Sequence, residues 1–444
     1  MNRTIRTTLP AVAPPRRQSM RSARSRLRHV VALIAVLACS PINAKADTVL
    51  DWDHIAANTV VTQSAFAQAR YMAITQLAVF EAVTAITGDY EPYLGTVVAP
   101  AGADPDAAAI AAAYRVLKNY FPLAATLDTS YAASLASIPD SAAKTDGIAT
   151  GEAAAAQMIA LRAGDGSSPP EFYLPESSDP GVWQTTPTCP AAGGVNFHWQ
   201  NITPFGMFPS RSGNETWFDR FMPRPPPAVA SSRYAKDYAE AKAVGNVNST
   251  ARPQDRSDVA RFYAASSPTF VFNQAARQLA VAQGKSLSEN ARALALLNMA
   301  INDSLVASFG AKYFYLFWRP ETAIRAGGLD GNAKTDPDIA FSPFIPTPCF
   351  PSYPSNHAAG SNSAAEVMRR LYGAGGHAIT MANPAVQGIT LHYNTLRQIT
   401  DDIDDARVYG GIHFRFDQDA GRRLGREIAA FIYNHNLRSA HDPD

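Results

Sequence analysis

Apolar residues recur at helical spacing along most of this chain, and strand-like alternation is scarce. Ala65 to Ile86 carries Met72, Leu77, Val79, Phe80 and Val83 spread widely round one axis, which predicts a helix buried on most sides. Ala107 to Tyr120 and Gly151 to Arg162 are Ala-rich and predicted helical, as are Ser232 to Val244 and Ser257 to Tyr263. A long helix is expected from Ser286 to Phe317, opened by a Ser286-x-x-Glu289 capping box and stopped by Pro320. Ala364, Val367, Met368 and Leu371 follow the i, i+3, i+4, i+7 pattern of one more helix, with Gly373 as its stop. Between about Ser167 and Pro227 the periodicity fails. That stretch is rich in Pro, Gly, Ser and aromatics, ends in Pro225-Pro226-Pro227, and holds Trp183, Trp199 and Trp217, which want burial. Long loops of this kind often line a site. The pattern predicts an all-α fold of helical bundles with long irregular loops, divided into an N-terminal helical region (47–230) and a C-terminal catalytic region (231–444).

Residues 1–46 are of another kind. They hold eight Arg, one Lys and no acid, then an apolar run from Val30 to Ala38, and then Ala44-Lys45-Ala46. This is the layout of a secretory signal peptide cleaved after Ala46, which implies a secreted or periplasmic protein. Nine apolar residues are too few to span a bilayer. Cys39 offers a lipoprotein anchor as the alternative, and Arg16-Arg17 a poor twin-arginine match. Removing the nine cations leaves 30 basic against 38 acidic residues, a mature net charge of about −8. Such a chain, with no basic tail, is a poor ligand for nucleic acid or an anionic membrane, so its cations are expected to act locally. Cys189 and Cys349 remain, either as a disulfide suited to an exported protein or as two buried thiols.

Three short clusters carry the chemistry. Lys312 and Arg319 lie seven apart in a strongly aromatic segment. At about 100° per residue they would share one face of the long helix, about 10 Å apart along its axis, with a solvated basic stripe as the bland alternative. Ser355, Asn356 and His357 stand where a helix begins, and free N–H groups with the helix dipole make that end an anion site. An ordinary N-cap serine beside a surface histidine is the bland alternative. Arg407 and His413 are six apart across Gly410-Gly411, so they cannot share one helix face and a turn is expected to bring them together; a Gly-Gly loop with a core histidine is the bland alternative. Asp417, four residues after His413, could take the second ring nitrogen and set its tautomer. Three cations, a hydroxyl and two imidazoles are what a phosphate-like or vanadate oxyanion requires.

In this order and spacing, Lys-x6-Arg-Pro, Pro-Ser-x-His and Arg-x3-Gly-x-His-x3-Asp resemble the signature shared by vanadium-dependent haloperoxidases and type 2 phosphatidic acid phosphatase-like acid phosphatases. The flanking Phe-Trp-Arg-Pro and His-Phe-Arg-Phe-Asp lean toward the haloperoxidases. The resemblance implies a vanadate cofactor, with hydrogen peroxide and halide as substrates and hypohalous acid as product. It implies that His413 binds vanadium, and that Lys312, Arg319, Arg407, the Ser355 hydroxyl and the Asn356 N–H hold the oxygens. His357 would be the acid–base partner and Asp417 would support His413, while Phe350 and Phe309 would line the halide side. In the phosphatase alternative, His413 attacks phosphorus to give a phosphohistidine and His357 protonates the leaving alcohol. Two departures stand out. The family usually has Gly where this chain has Asn356, whose side chain would either crowd the oxyanion or add a donor, and whose presence motivates a third reading, a binding-only relative. The other is Ala406, where the family usually has Ser before the site arginine, a minor loss; separately, the family's chloride-oxidising members have Trp where this chain has Phe309.

Overall fold

The structure, a computed structural model, describes residues 47–209 and 216–441; the expected signal segment 1–46 lies outside the described residues. In chain order the helices are α1 (Thr48–Val60), α2 (Ala65–Thr87), α3 (Pro105–Tyr120), α4 (Ala125–Ala136), α5 (Ala142–Leu161), α6 (Trp217–Phe221), α7 (Ser232–Gly245), α8 (Gln254–Ala264), α9 (Pro268–Gln283), α10 (Leu287–Tyr315), α11 (Pro320–Arg325), α12 (Asn356–Tyr372), α13 (Leu396–Tyr409) and α14 (Arg415–His435). One antiparallel hairpin, β1 (Gly375–Ala382) with β2 (Thr390–Thr395), pairs Ile379 with Tyr393 and Met381 with Leu391. The all-α expectation holds, and this hairpin is the exception to it. It is an appendage that buries Ile379, Met381 and Tyr393 against the helices.

α10 is the axis of the molecule. Ser286 and Glu289 form the expected capping box at its start. The helix is apolar and long enough to cross a bilayer, but its apolar surface is buried in the core, with Phe314 near its end as an exception. It packs against α2 on one side and against α12 and α14 on the other. One core runs from Val49 to Leu437 through both halves of the chain. A second cluster gathers Tyr234, Tyr238, Phe317, Trp318, Tyr353, Phe414 and Phe416.

The irregular connection is real. Between α5 and α7 the described residues contain only a 3-10 turn (Phe197–Asn201) and the short α6. Trp183 and Trp199 are buried as expected, whereas Trp217 is only half-buried, edge-on to Phe218 on the one-turn α6. The connection is pinned to α10 by Asp303, whose buried carboxylate accepts from the N–H groups of Phe205, Gly206 and Met207 at 2.7–2.9 Å. Three ladder-like N–H bonds are what a buried carboxylate needs to stay satisfied. Cys189 and Cys349 form a disulfide (Cα–Cα 5.0 Å), which resolves the two readings of these cysteines. Val195 N–H also donates to Cys349 O, so the connection is tied directly to the loop carrying Phe350 and Ser355.

Candidate active site

The first cluster is built differently from its expected form. Pro320 disfavours helical backbone at the residue before it. Arg319 is accordingly extended (φ −87°, ψ 154°), and α10 has already ended at Tyr315 with Leu316 in the left-handed region (φ 48°). Lys312 and Arg319 therefore do not share one helix face. Lys312 projects from the last turn of α10 and Arg319 from the N-cap of α11, and both side chains are fully buried. They grip one loop. Lys312 Nζ donates to Pro351 O and Ser352 O at 2.8 and 2.7 Å, and Arg319 Nε to Phe350 O at 2.8 Å. The same loop delivers Ser355, which caps α12 by accepting from Ala358 N–H.

α12 is brought close to α14 by two glycines. A Cβ at Gly421 would meet Ser355 O at 2.5 Å, and one at Gly425 would meet Ala359 O at 2.1 Å. Only Gly allows this approach. It lets Ser355 N–H donate to Asp417 O at 3.0 Å, which locks the start of α12 to the first turn of α14. Arg407 leaves the end of α13, and the chain reverses through Gly410 and Gly411 (φ +77°) to present His413, as its spacing required. Gly411 has no room for a Cβ, which would lie 2.3 Å from Gly245 O.

His413 is the centre. Its Nδ1 lies 2.8 Å from Asp417 Oδ2, which also accepts from Ser352 Oγ (2.6 Å) and Phe414 N–H (3.0 Å). An acceptor-only carboxylate at Nδ1 puts the ring proton there and leaves the Nε2 lone pair toward the pocket. Arg319 Nη1 sits 3.0 Å from that Nε2 and 2.8 Å from Ile412 O. Arg407 Nη1 donates to Tyr263 O at 3.2 Å. His413, Arg407, Asn356 and partly exposed His357 line one narrow cavity of about 30 Å³, whose other walls are Ala65, Phe66, Pro268, Leu305, Pro348 and Phe350. Phe66, Phe309 and Phe350 form an edge-to-face trio, with centroids 4.7–5.9 Å apart, and Trp199 packs behind Phe66. A larger cavity of about 580 Å³ lies elsewhere, against Pro223, Arg224 and Arg423, and contains none of the motif residues.

The electrostatics show a site with more cations than its own acids can serve. Burial, then the Arg319 charge, holds the Lys312 ammonium well below its ordinary range. Burial lowers Arg319 to about 9 and Arg407 to about 10, so both stay protonated at neutral pH. His357 and His413 are pushed well below 6.5, first by burial and then by the surrounding cations. Burial raises Asp417 to about 6, against the pull of Ser352 and Lys312. No carboxylate pairs directly with Lys312, Arg319 or Arg407 among the described residues. Arg319 Nη2, Arg407 Nε and Asn356 Nδ2 are buried donors without a partner. A buried unpaired donor costs about 1–3 kcal/mol, more when charged, so three of them close to His413 and its cavity suit an oxyanion ligand. The donor set suits vanadate: cationic and N–H donors for its oxygens, and one neutral imidazole nitrogen for the metal.

All ten residues singled out in the sequence thus meet around one site. Four others were not foreseen. Ser352 holds Asp417, Ser308 lies 3.0 Å from the Asn356 amide, Tyr263 gives its carbonyl to Arg407, and Phe66 completes the aromatic wall. Ser308 was legible, since it sits one helical turn before Lys312 on the same face. Phe66 was not, because nothing in its own segment distinguishes it from other core positions of α2.

Comparison with known proteins gives this geometry a class. Residues 292–442 match the VCPO second helical-bundle domain. Over 126 residues, 24% of this chain, the sequence is 29% identical to the vanadium chloroperoxidase of Curvularia inaequalis, and the match spans only about a fifth (20%) of that relative's length. A bacterial vanadium-dependent iodoperoxidase superposes with a TM-score of 0.75 at 23% identity, covering 91% of this chain and 99% of that one. A bacterial vanadium-dependent chloroperoxidase follows in its apo form, with TM-score 0.66 at 16% identity, covering 84% and 95% of the two chains. The chain therefore has the vanadium haloperoxidase fold, and its residues 292–442 match that group's second helical-bundle domain.

Proposed function

We propose that this protein is an exported vanadate-dependent haloperoxidase that oxidises halide with hydrogen peroxide to a hypohalous acid equivalent. The observation that carries the reading is the set of unpaired buried donors converging beside the neutral Nε2 of His413. Vanadate held there would supply a Lewis-acidic centre for the chemistry of peroxide and halide. Lys312, Arg319 and Arg407 offset the negative charge on the oxygens, in a dry setting where each charge acts strongly. The Ser355 hydroxyl and the Asn356 N–H add donors from the start of α12. His413 offers Nε2 to vanadium, and Asp417 with Ser352 keeps its proton on Nδ1. His357, at the open side of the cavity and neutral at pH 7, is placed to take a proton from incoming peroxide and return it to product. Phe66, Phe309 and Phe350 keep water from the cations and bound the space a halide would enter. Export is supported by the basic and apolar pattern of residues 1–46 and by the Cys189–Cys349 disulfide, which suits an oxidising compartment.

The test is a bromide-dependent halogenation assay on the mature chain at fixed peroxide, with and without orthovanadate. Bromination that requires vanadate and is suppressed by phosphate is expected. Hydrolysis of a simple phosphomonoester, inhibited by vanadate and unaccompanied by bromination, would replace this reading with the phosphatase.

A further inference from the structure

We propose that the side-chain amide of Asn356 is itself an oxyanion ligand, and that Ser308 sets which end of the amide faces the anion. The inference rests on the anion-holding reading of the site given above. Asn356 opens α12, is 4% exposed, and stands on the cavity wall with His357, Arg407 and His413. Its Nδ2 has no partner among the described residues. Ser308, on α10, holds the other end: its Oγ lies 3.0 Å from Asn356 Oδ1 and 2.9 Å from Leu305 O.

A serine hydroxyl carries one proton, so it can serve only one of these two acceptors. When the proton goes to Oδ1, Nδ2 is left as a free donor at the cavity. When it goes to Leu305 O, the amide can turn, donate Nδ2 to the serine oxygen and leave Oδ1 at the cavity. O and N occupy nearly the same places in either arrangement. The occupant decides between them. An oxyanion repels Oδ1 and accepts from Nδ2, so filling the site selects the first arrangement. With Oδ1 held by Ser308, as in the structure, the amide leaves its Nδ2 donor to the anion. A glycine at this position could offer no more than its backbone N–H. Ser308 is a positioning residue in this scheme; it never touches the anion.

The experiment is isothermal titration of the full chain with orthovanadate and, separately, with inorganic phosphate, on the wild type, Asn356→Ala and Ser308→Ala. A hydrogen bond to a charged partner is worth enough that Asn356→Ala should weaken both ions by about tenfold to a hundredfold. Ser308→Ala should weaken them by a smaller factor. Asn356→Asp, equal in shape but anionic, should lose more than Asn356→Ala. In parallel, the side-chain amide signal of Asn356 in protein labelled with 15N-asparagine should move as phosphate saturates the wild type. That measurement needs no variant and survives any folding defect in one. If the wild type binds neither ion, the anion-site reading falls and this inference with it. If the wild type binds both ions while Asn356→Ala binds them equally well, or if the Asn356 signal ignores saturating phosphate, this inference alone is overturned.

Discussion

The molecule buries cations in two kinds of place. At the base of α2, Arg70 Nε meets Asp165 Oδ2 at 2.7 Å and Arg162 Nε meets the same oxygen at 3.1 Å. Against α1, Arg277 pairs with the fully buried Asp53. Each of these arginines has a carboxylate in reach. Burial pushes Asp165 up, yet Arg70 and Arg162 hold its carboxyl below the usual range. In the site, Lys312, Arg319 and Arg407 are buried as deeply and have backbone carbonyls instead. The one nearby acid, Asp417, is committed to His413, Ser352 and Phe414. A paired cation is part of the folded chain's own accounts. An unpaired one is a debt that only a ligand can settle, which is why buried charge without a partner marks function more sharply than buried charge itself.

The hardest blow to that contrast is His413→Ala. It removes the only imidazole nitrogen oriented by a carboxylate in the site, and vanadate-dependent bromination should vanish; measurable turnover in a folded variant would refute the placement of the cofactor at Nε2. Next come two matched substitutions read by thermal melting. Arg277→Met strands the buried Asp53 carboxyl, already raised to about 6 by burial, and should destabilise the protein by about 3 kcal/mol or more. Arg407→Met removes a more deeply buried cation that has no acid partner, so the anion-free protein should melt no lower than wild type while losing its response to phosphate. Equal destabilisation by both would erase the distinction. On the same instrument, phosphate or orthovanadate at about 100 times its Kd should stabilise the wild type by about 2.7 kcal/mol. Arg277→Met should keep that gain in full.

What could be read in advance divides along the same line. The motif residues were legible because their chemistry is dense: Lys312, Arg319, Ser355, His357, Arg407, His413 and Asp417 lie within a segment of about a hundred residues, at spacings with a chemical meaning. The route by which they meet was less so. Periodicity extended α10 to Phe317, because Phe317 and Trp318 are apolar and only the backbone preference imposed by Pro320 betrays the break. The close contact of α12 with α14 depends on Gly421 and Gly425, whose meaning appears only when Ser355 O and Ala359 O stand against them. α4, α9 and the β1–β2 hairpin escaped notice because short or weakly periodic segments take their structure from what they pack on. The role of Asn356 could be framed as crowding or donation, but choosing between them needed Ser308, 48 residues away.

The smallest expected effect tests the charge argument at His357. Its folded pKa lies well below 6.5, held down by burial and by Arg407. An unfolded chain takes up this proton as pH falls below 6.5, and the folded protein refuses it. The group therefore weakens folding progressively below pH 6.5 and is neutral in its effect above it. Total stability will not display this cleanly, because Asp53, Asp404 and Asp417 are raised to about 6, 7 and 6 and push the opposite way over the same range. The difference between wild type and His357→Gln isolates it. Denaturant unfolding at pH 7.5, 6.0 and 5.0 should show that difference moving in the variant's favour below pH 6.5. The ceiling is about 1.4 kcal/mol per pH unit, reduced by the share of the ring that water reaches. Saturating phosphate should shrink the slope, since an anion beside the imidazolium makes its proton easier to accept. A slope that phosphate leaves untouched would mean that His357 feels only its burial, and that the cations and their missing partner lie too far from it to share one site.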